Sequence, residues 1–292
     1  MNQLFSAVSI SKQSFHQYHD RLMVKLQEEA YLDLMVQDIR RDHPTMGCRD
    51  MYFKIAPSTM GRDAFEDFCH HRGYMLSRKP NYRITTDSMG VRRFDNLTLN
   101  LSLTAADQLW VSDITYFELS GRFYYLTFVL DAFTKRILGH SVSRRLYTEC
   151  TTLAALRMAI KTRNKSTLQG MIFHSDGGGQ YYDKTFLKLT GSYSIKNSMC
   201  KFAWENPYAE RINGVIKNNY LKHRSIQTFD GLNTEVDRAV KLYNYEKPHK
   251  SLGRQTPIEF ERFIFETQKK SNVGNLSNKK DVEPCQKTVN AI

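Results

Sequence analysis

Three carboxylates stand where chemistry on a phosphodiester would need them. Asp113 falls inside the run LWVSDITYFEL, Asp176 closes the short apolar run MIFHSD ahead of three glycines, and Glu210 lies in the opening turns of PYAERINGVIK. A carboxylate within a strand is costly unless it is paired or metal-bound. A strand interior, a strand end and a helix start can bring such groups together from distant parts of a chain. A trio of this kind can hold two Mg2+ ions, with Mn2+ as a substitute, about 3.5–4 Å apart, stabilising the attacking and leaving oxygens of an in-line phosphoryl transfer. Taken singly, each has an ordinary explanation. Asp113 can face water at a strand edge, Asp176 before Gly177 is a good turn former, and Glu210 suits the positive end of a helix dipole. Their joint placement is what points to a metal site.

The elements that must position them are readable from periodicity. Closely spaced strands at LWVSDITYFEL, RFYYLTFVLDAF and RILGHSVS suggest an antiparallel meander, with Gly121 in the first turn. TECTTLAALRMAIKTRN reads as a helix capped by Thr148 or Thr151, MIFHSD as a buried strand, DKTFLKLTGS as a helix and SIKNSM as the last strand. A helix with Pro207 in its first turn follows, then another over about Thr234–Asn244. Three strands, helix, strand, helix, strand, helix is the order of a ribonuclease-H-like α/β core, a mixed five-stranded sheet with helices, here over 106–268.

Residues 1–76 are expected to form a small helical, helix-turn-helix-like domain. Leu22, Val24, Leu26, Tyr31, Leu34, Met35 and Ile39 give the first helix an amphipathic pattern, and CRDMYFKIA and GRDAFEDFCHHRGYML supply two shorter helices. Residues 77–105 read as a basic linker in which Arg78, Lys79, Arg83, Arg92 and Arg93 can lie along a DNA backbone, or simply be solvated. Residues 269–292, rich in Asn, Lys and Ser, read as a disordered tail.

Composition bounds the partners. Among 292 residues, 42 Lys and Arg against 30 Asp and Glu give a net charge of +12, which favours a polyanion because neutralised phosphates release counterions. No apolar run is long enough to span a membrane, and there is no secretory signal pattern. Five scattered cysteines without a CxxC pair argue against a disulfide framework or a zinc finger. A cytoplasmic protein acting on double-stranded DNA is the expectation.

The motifs themselves resemble a family. WVSDIT (Trp110, Asp113, Ile114, Thr115), HSDGGGQY (His174, Ser175, Asp176, Gly178, Gln180, Tyr181), ENPYAE (Asn206, Ala209, Glu210) and YNYEKPHKSLGRQTP (Tyr243, Asn244, Pro248, His249, Ser251, Leu252, Thr256, Pro257) occur in order. From Trp110 to about Phe263 the chain resembles the DDE integrase-core transposases of two-reading-frame bacterial insertion sequences, relatives of retroviral integrases. RDHPTMGCRDMYFKI is similar to the helical segment that precedes the core in the downstream-frame protein.

That resemblance implies metal-dependent DNA strand cleavage at element ends and strand transfer by a polynucleotidyl transferase. It implies Asp113, Asp176 and Glu210 as catalytic metal ligands, and an upstream-frame protein or self-association as partner. It also implies that Lys217, seven residues after Glu210, touches DNA near the active site. Gln180 and Tyr181 beyond the glycines, His174 and Asn206 are further candidates for contact with DNA. For His174, hydrogen bonding in a buried strand end serves equally, and for Gln180 and Tyr181, turn packing. Two departures are visible: 33 residues separate Asp176 from Glu210, slightly fewer than is usual in the family, and Glu205 stands where Asp is common. Glu205 is thus the rival third ligand. A DNA-binding regulator that never cuts alone, and a nuclease acting on RNA in hybrids, are the alternative functions.

Overall fold

The computed structural model describes residues 11–77, 94–164, 166 and 168–277; Arg78, Lys79, Arg83, Arg92 and Arg93 of the expected basic linker lie outside them. The N-terminal part is helical: α1 (Lys12–Asp42), α2 (Cys48–Ile55) and α3 (Arg62–His71). Ser11 caps α1, its hydroxyl accepting from the Ser14 N–H at 3.0 Å. The three helices share a small core of Leu32, Val36, Ile39, Met51, Phe65 and Phe68. The apolar face expected for α1 is therefore mostly a different one. Leu22, Val24, Leu26, Tyr31 and Leu34 are exposed, and only Ile39 of the seven residues read as that face is buried.

The rest is built on one sheet. β1 (Leu109–Leu119) and β2 (Arg122–Asp131) pair antiparallel from Trp110↔Asp131 to Leu119↔Arg122. The intervening Ser120 and Gly121 both have positive φ, 52° and 73°, the conformation of a two-residue type I′ turn that matches strand twist. β3 (Ile137–Ser143) pairs antiparallel with β2, and β4 (Ile172–Ser175) and β5 (Lys196–Met199) continue the sheet in parallel beyond β1. The order β3-β2-β1-β4-β5 is the ribonuclease-H-like arrangement.

Alternation along β1 divides the core in two. Trp110 faces α4 (Thr152–Arg163) and α5 (Lys184–Ser192), with Val129, Leu138, Phe173 and Phe186. Leu109 and Val111 face α6 (Pro207–Val215) and α7 (Phe229–Tyr245), with Phe128, Ile212, Ile216 and Val236. At Gly139 of β3 a Cβ would stand 2.1 Å from the Ala155 carbonyl and 2.6 Å from the Ala159 nitrogen, so only glycine lets α4 approach that closely. Thr151 precedes α4 without the expected side-chain cap, its hydroxyl donating to the Tyr147 carbonyl at 2.7 Å instead.

Buried polar groups tie the sheet to the last helix. Arg163 of α4 donates to Asp107, Asp131 and Glu261 at 2.6, 2.9 and 2.6 Å. Asp131 also accepts from the main-chain N–H groups of Asp107, Phe133 and Thr134. Glu261 lies on α8 (Pro257–Ser277), which extends helix nine residues into the segment expected to be disordered. The linker also ends earlier than expected, because Leu97 donates to Ser198 Oγ and Met199 to the Asp95 carbonyl, holding 95–97 against β5. The helical domain contacts the core through Asp42–Arg238, Asp50–Arg254 and Lys54–Glu246. Among the described residues no helix is long and apolar enough to cross a membrane.

Candidate active site

Strand register brings two of the expected carboxylates together. Val111 of β1 is paired with His174 of β4 in parallel. Two residues further along each strand direction lie Asp113 and Asp176, on the sheet face covered by α6. Asp113 is half-buried, and its Oδ2 accepts from Asn213 Nδ2 at 2.9 Å. Asp176 closes an Asx-type turn, its Oδ1 accepting from the Gly178 N–H at 3.2 Å. A Cβ on Gly178 would lie 3.1 Å from that same oxygen, so the glycine makes room for the carboxylate.

The electrostatics are those of an uncompensated acidic pair. Burial first, then the charge of Asp176 and more weakly that of Glu210, push the Asp113 carboxyl up to about 7. Burial also raises Asp176. Among the described residues neither carboxylate has an ion-pair partner. Two hard oxygen donors from neighbouring strands, Asp113 destabilised by the charge of Asp176, fit a divalent cation such as Mg2+.

Glu210 stands apart from this pair. It lies on the first turns of α6 within electrostatic reach of Asp113, but its side chain is exposed. Among the described residues no three His, Cys, Asp or Glu side chains are grouped closely enough to form a metal site. Glu205, the rival, is committed elsewhere. Its Oε2 accepts from Asn96 Nδ2 at 3.0 Å and from the Lys201 N–H at 2.6 Å, and these bonds hold its carboxyl below the usual range although burial opposes them.

The residues expected to meet DNA fall into distinct groups. Lys217 is half-buried in the π-helical turn Ile216–Tyr220 that continues α6, and its Nζ donates to Thr115 Oγ1 at 2.6 Å, next to the carboxylates. Burial, and then Lys222, lower its pKa, while Asp113 opposes them. Gln180 is partly exposed, with Nε2 donating to the Leu146 carbonyl at 3.1 Å.

Three others are corrected by burial. Tyr181 is 2% exposed, packed on Phe173 and Phe186, with its hydroxyl 2.9 Å from Ser112 Oγ. It supports the strand beneath Asp113 from the opposite face and does not reach outward. His174 is buried against Ser198, Nδ1 to Oγ 2.9 Å, and Asn206 is buried with Nδ2 donating to the Ser112 carbonyl at 3.0 Å. Both brace the site from within. Asn213, the direct partner of Asp113, was not singled out from sequence, although its position three residues after Glu210 on one helix is the signal that places it on a neighbouring face.

Comparison with known proteins agrees with this architecture. Two integrase core domain models match, one over residues 104–203 and the other over 193–257. An uncharacterized 31 kDa protein of insertion element IS600 from Shigella sonnei is 27% identical over 240 residues, covering 80% of this chain and 87% of its own. A putative transposase for insertion sequence element IS986/IS6110 from Mycobacterium tuberculosis is 29% identical over 176 residues, 58% of this chain and 63% of the relative. The transposase for insertion sequence element IS629 from Shigella sonnei is 29% identical over 201 residues, 68% of this chain and 64% of the relative. The chain thus spans less than two thirds of the length of the latter two. The HTLV-2 integrase catalytic core domain in complex with magnesium is similar over 53% of this chain and 96% of its own, at 22% identity and a TM-score of 0.42. With integrase-core matches running over more than half of its length and insertion-element proteins as its relatives, the chain belongs to the integrase-core transposases.

Proposed function

We propose that the protein cuts DNA strands at the ends of an insertion element and transfers the freed ends to target DNA, in a reaction dependent on Mg2+ or Mn2+. The observation that carries this reading is the side-by-side placement of Asp113 and Asp176 without a cationic partner, the Asp113 carboxyl raised to about 7. Asp113 and Asp176, joined by Glu210 from α6, would hold the metal, two ions in all. Bound there, such ions supply Lewis-acid stabilisation of charge on the attacking and leaving oxygens.

The side chains do the positioning. Asn213 orients the Asp113 carboxylate by donating to its Oδ2. Lys217 offers a cation beside β1 for a DNA phosphate. In the first step water displaces the 3′ oxygen of the terminal phosphodiester, leaving a 3′-hydroxyl and a 5′-phosphate. In the second that hydroxyl displaces an oxygen of a target phosphodiester. Neither step needs a covalent protein nucleophile. Asp113→Asn should abolish Mg2+-dependent nicking of a duplex carrying the element's terminal repeat while leaving DNA binding intact; retained nicking would contradict the assignment.

A second reading is favoured by one observation, the exposed Glu210 outside any three-ligand group. It is a DNA-binding partner of a fused transposase that does not cut alone. It predicts no nicking by the purified chain and full nicking by the same chain fused to the upstream-frame protein.

A further inference from the structure

A cavity of about 400 Å3 lies past the carboxylates at the end of β1, between the β1–β2 hairpin, the end of β3 and the start of α7. That volume is in the range of small-ligand sites, roughly 300–1,000 Å3. Strand register decides which side chains face it. Tyr125 of β2 pairs with Ser143 of β3, so Arg144, the next residue of the chain, comes opposite Tyr124. Arg122 stands two residues from Tyr124 along β2 and shares its face. That face is the one covered by α6 and α7, because Tyr124 packs against their side of the core. The positive φ of Ser120 and Gly121 fixes the turn that delivers Arg122.

The two arginines are held in place without a counter-charge. The Arg144 guanidinium lies 4.4 Å over the Phe229 ring, and Phe229 stacks on Tyr124 with centroids 5.4 Å apart and planes 29° from parallel. A guanidinium laid on a ring is fixed through its face and keeps the donors on its edge free. Among the described residues neither Arg122 nor Arg144 has an ion pair or a side-chain hydrogen bond, and no carboxylate lines the cavity. Thr228, also on the wall, caps α7 by accepting from the Gly231 N–H at 3.0 Å. The positive end of a 17-residue helix therefore adds to the same corner, and Asp230 of its first turn is not part of the lining. Two cations lining one cavity repel each other, and an anion between them turns that repulsion into attraction. Forked arginine donors match the oxygens of a phosphate group.

We propose that Arg122 and Arg144 form a second anchor for the DNA backbone, gripping one phosphate well away from the bond that is cut. The location sets the spacing. Leu119 pairs with Arg122, and Asp113 lies six residues back along β1, about 20 Å. At a rise of about 3.4 Å per base pair, the anchored phosphate falls roughly six base pairs from the scissile one. The interval is positively charged as well. Lys217 sits on Thr115 between the two points, and Lys222 is within electrostatic reach of Lys217. A continuous phosphate backbone would use such a track, whereas a free phosphate would need only the cavity. Contacts of this kind carry no sequence information; they fix the direction in which the duplex crosses the sheet. The proposal rests on the proposed DNA reaction for its setting and on the arginine cavity for its chemistry.

The test is duplex binding in EDTA, so that no cutting occurs. A labelled terminal-repeat duplex is made as a set, each member carrying one neutral methylphosphonate in place of one phosphate. Wild type should lose affinity at phosphates near the cut and again at a separate group roughly six base pairs away. In the double variant Arg122→Gln, Arg144→Gln the distant sensitivity should vanish while the near one stays. The same variant should bind the unmodified duplex roughly 10- to 100-fold more weakly, as for one lost charge-assisted hydrogen bond. Its plot of log affinity against log salt should be shallower by about one, and Arg122→Lys, Arg144→Lys should restore that slope. Both side chains are exposed, and thermal melting checks that each variant is folded. Absence of the distant group in wild type overturns the proposal without any variant. So does an interference pattern and salt slope that the glutamine pair leaves unchanged. A melting shift with inorganic phosphate that the glutamine pair abolishes, with duplex binding as in wild type, overturns it too and assigns the cavity to a free anion. Wild type that shows the distant contact but never nicks with Mg2+ sinks the proposed reaction and supports the anchor. Protein that nicks normally and lacks the distant contact sinks the anchor alone.

Discussion

At the scale of single residues, Asp113 concentrates the chemistry and the strain. Its carboxyl sits at about 7 in the folded chain against about 3.9 when unfolded, so the folded state holds a proton that the unfolded state has lost. The stability this contributes is complete below about pH 4 and disappears as pH rises through about 7. Asp113→Asn should therefore leave the metal-free melting temperature little changed at pH 4 and raise it over wild type at pH 8. A gap that narrows with rising pH would contradict the burial of an unpaired charge. Magnesium should stabilise wild type increasingly over the same interval, because it binds only the ionised form.

Asn213 acts on the same group. Its N–H favours the ionised carboxylate, so Asn213→Ala should move the acid limb of a nicking–pH profile to higher pH and lower activity near pH 7; an unmoved limb would reduce Asn213 to a structural role. Asp113 and Asp176 were legible in the sequence because strand interiors and strand ends rarely carry carboxylates by chance. Tyr181 was not. Its place after three glycines allows DNA contact and turn packing alike, and only the 3-10 turn Gly179–Tyr181 shows that the ring folds back under β1.

At the scale of elements, all five strands were legible, β1 by its period of two and β4 as a short buried apolar run. Helix α1 shows what periodicity leaves open. It carries apolar residues on several faces, and a pattern of spacing does not say which face finds a partner; Leu32, Val36 and Ile39 do, whereas Leu22, Leu26 and Leu34 do not. The closest approach between elements, α4 on β3 at Gly139, gives a sharp prediction. Gly139→Ala puts a methyl group against main-chain atoms that cannot rotate away and should cost about 1–3 kcal/mol or more in urea denaturation. A neutral substitution would mean that α4 packs more loosely than described.

At the scale of the whole molecule, Arg163 connects the start of β1, the end of β2, α4 and α8 through Asp107, Asp131 and Glu261. Replacing it by methionine leaves buried carboxylates without their cation and should destabilise the fold by about 3–5 kcal/mol, measured by denaturant unfolding. A change below about 1 kcal/mol would show the network to be solvated. No local sequence signal marks this cluster, because its members are spread from residue 107 to residue 261. The extension of α8 to Ser277 was hidden for a similar reason, in a composition rich in Asn, Lys and Ser that reads as disordered.

Metal-dependent nicking of a terminal-repeat duplex by purified wild type and by four single variants, Asp113→Asn, Asp176→Asn, Glu210→Gln and Glu205→Gln, tests the central claim most directly. The first three should lose activity by several orders of magnitude with duplex binding retained, while Glu205→Gln keeps cutting. Nicking that survives in Asp113→Asn or Asp176→Asn, or that is lost in Glu205→Gln and kept in Glu210→Gln, would contradict it.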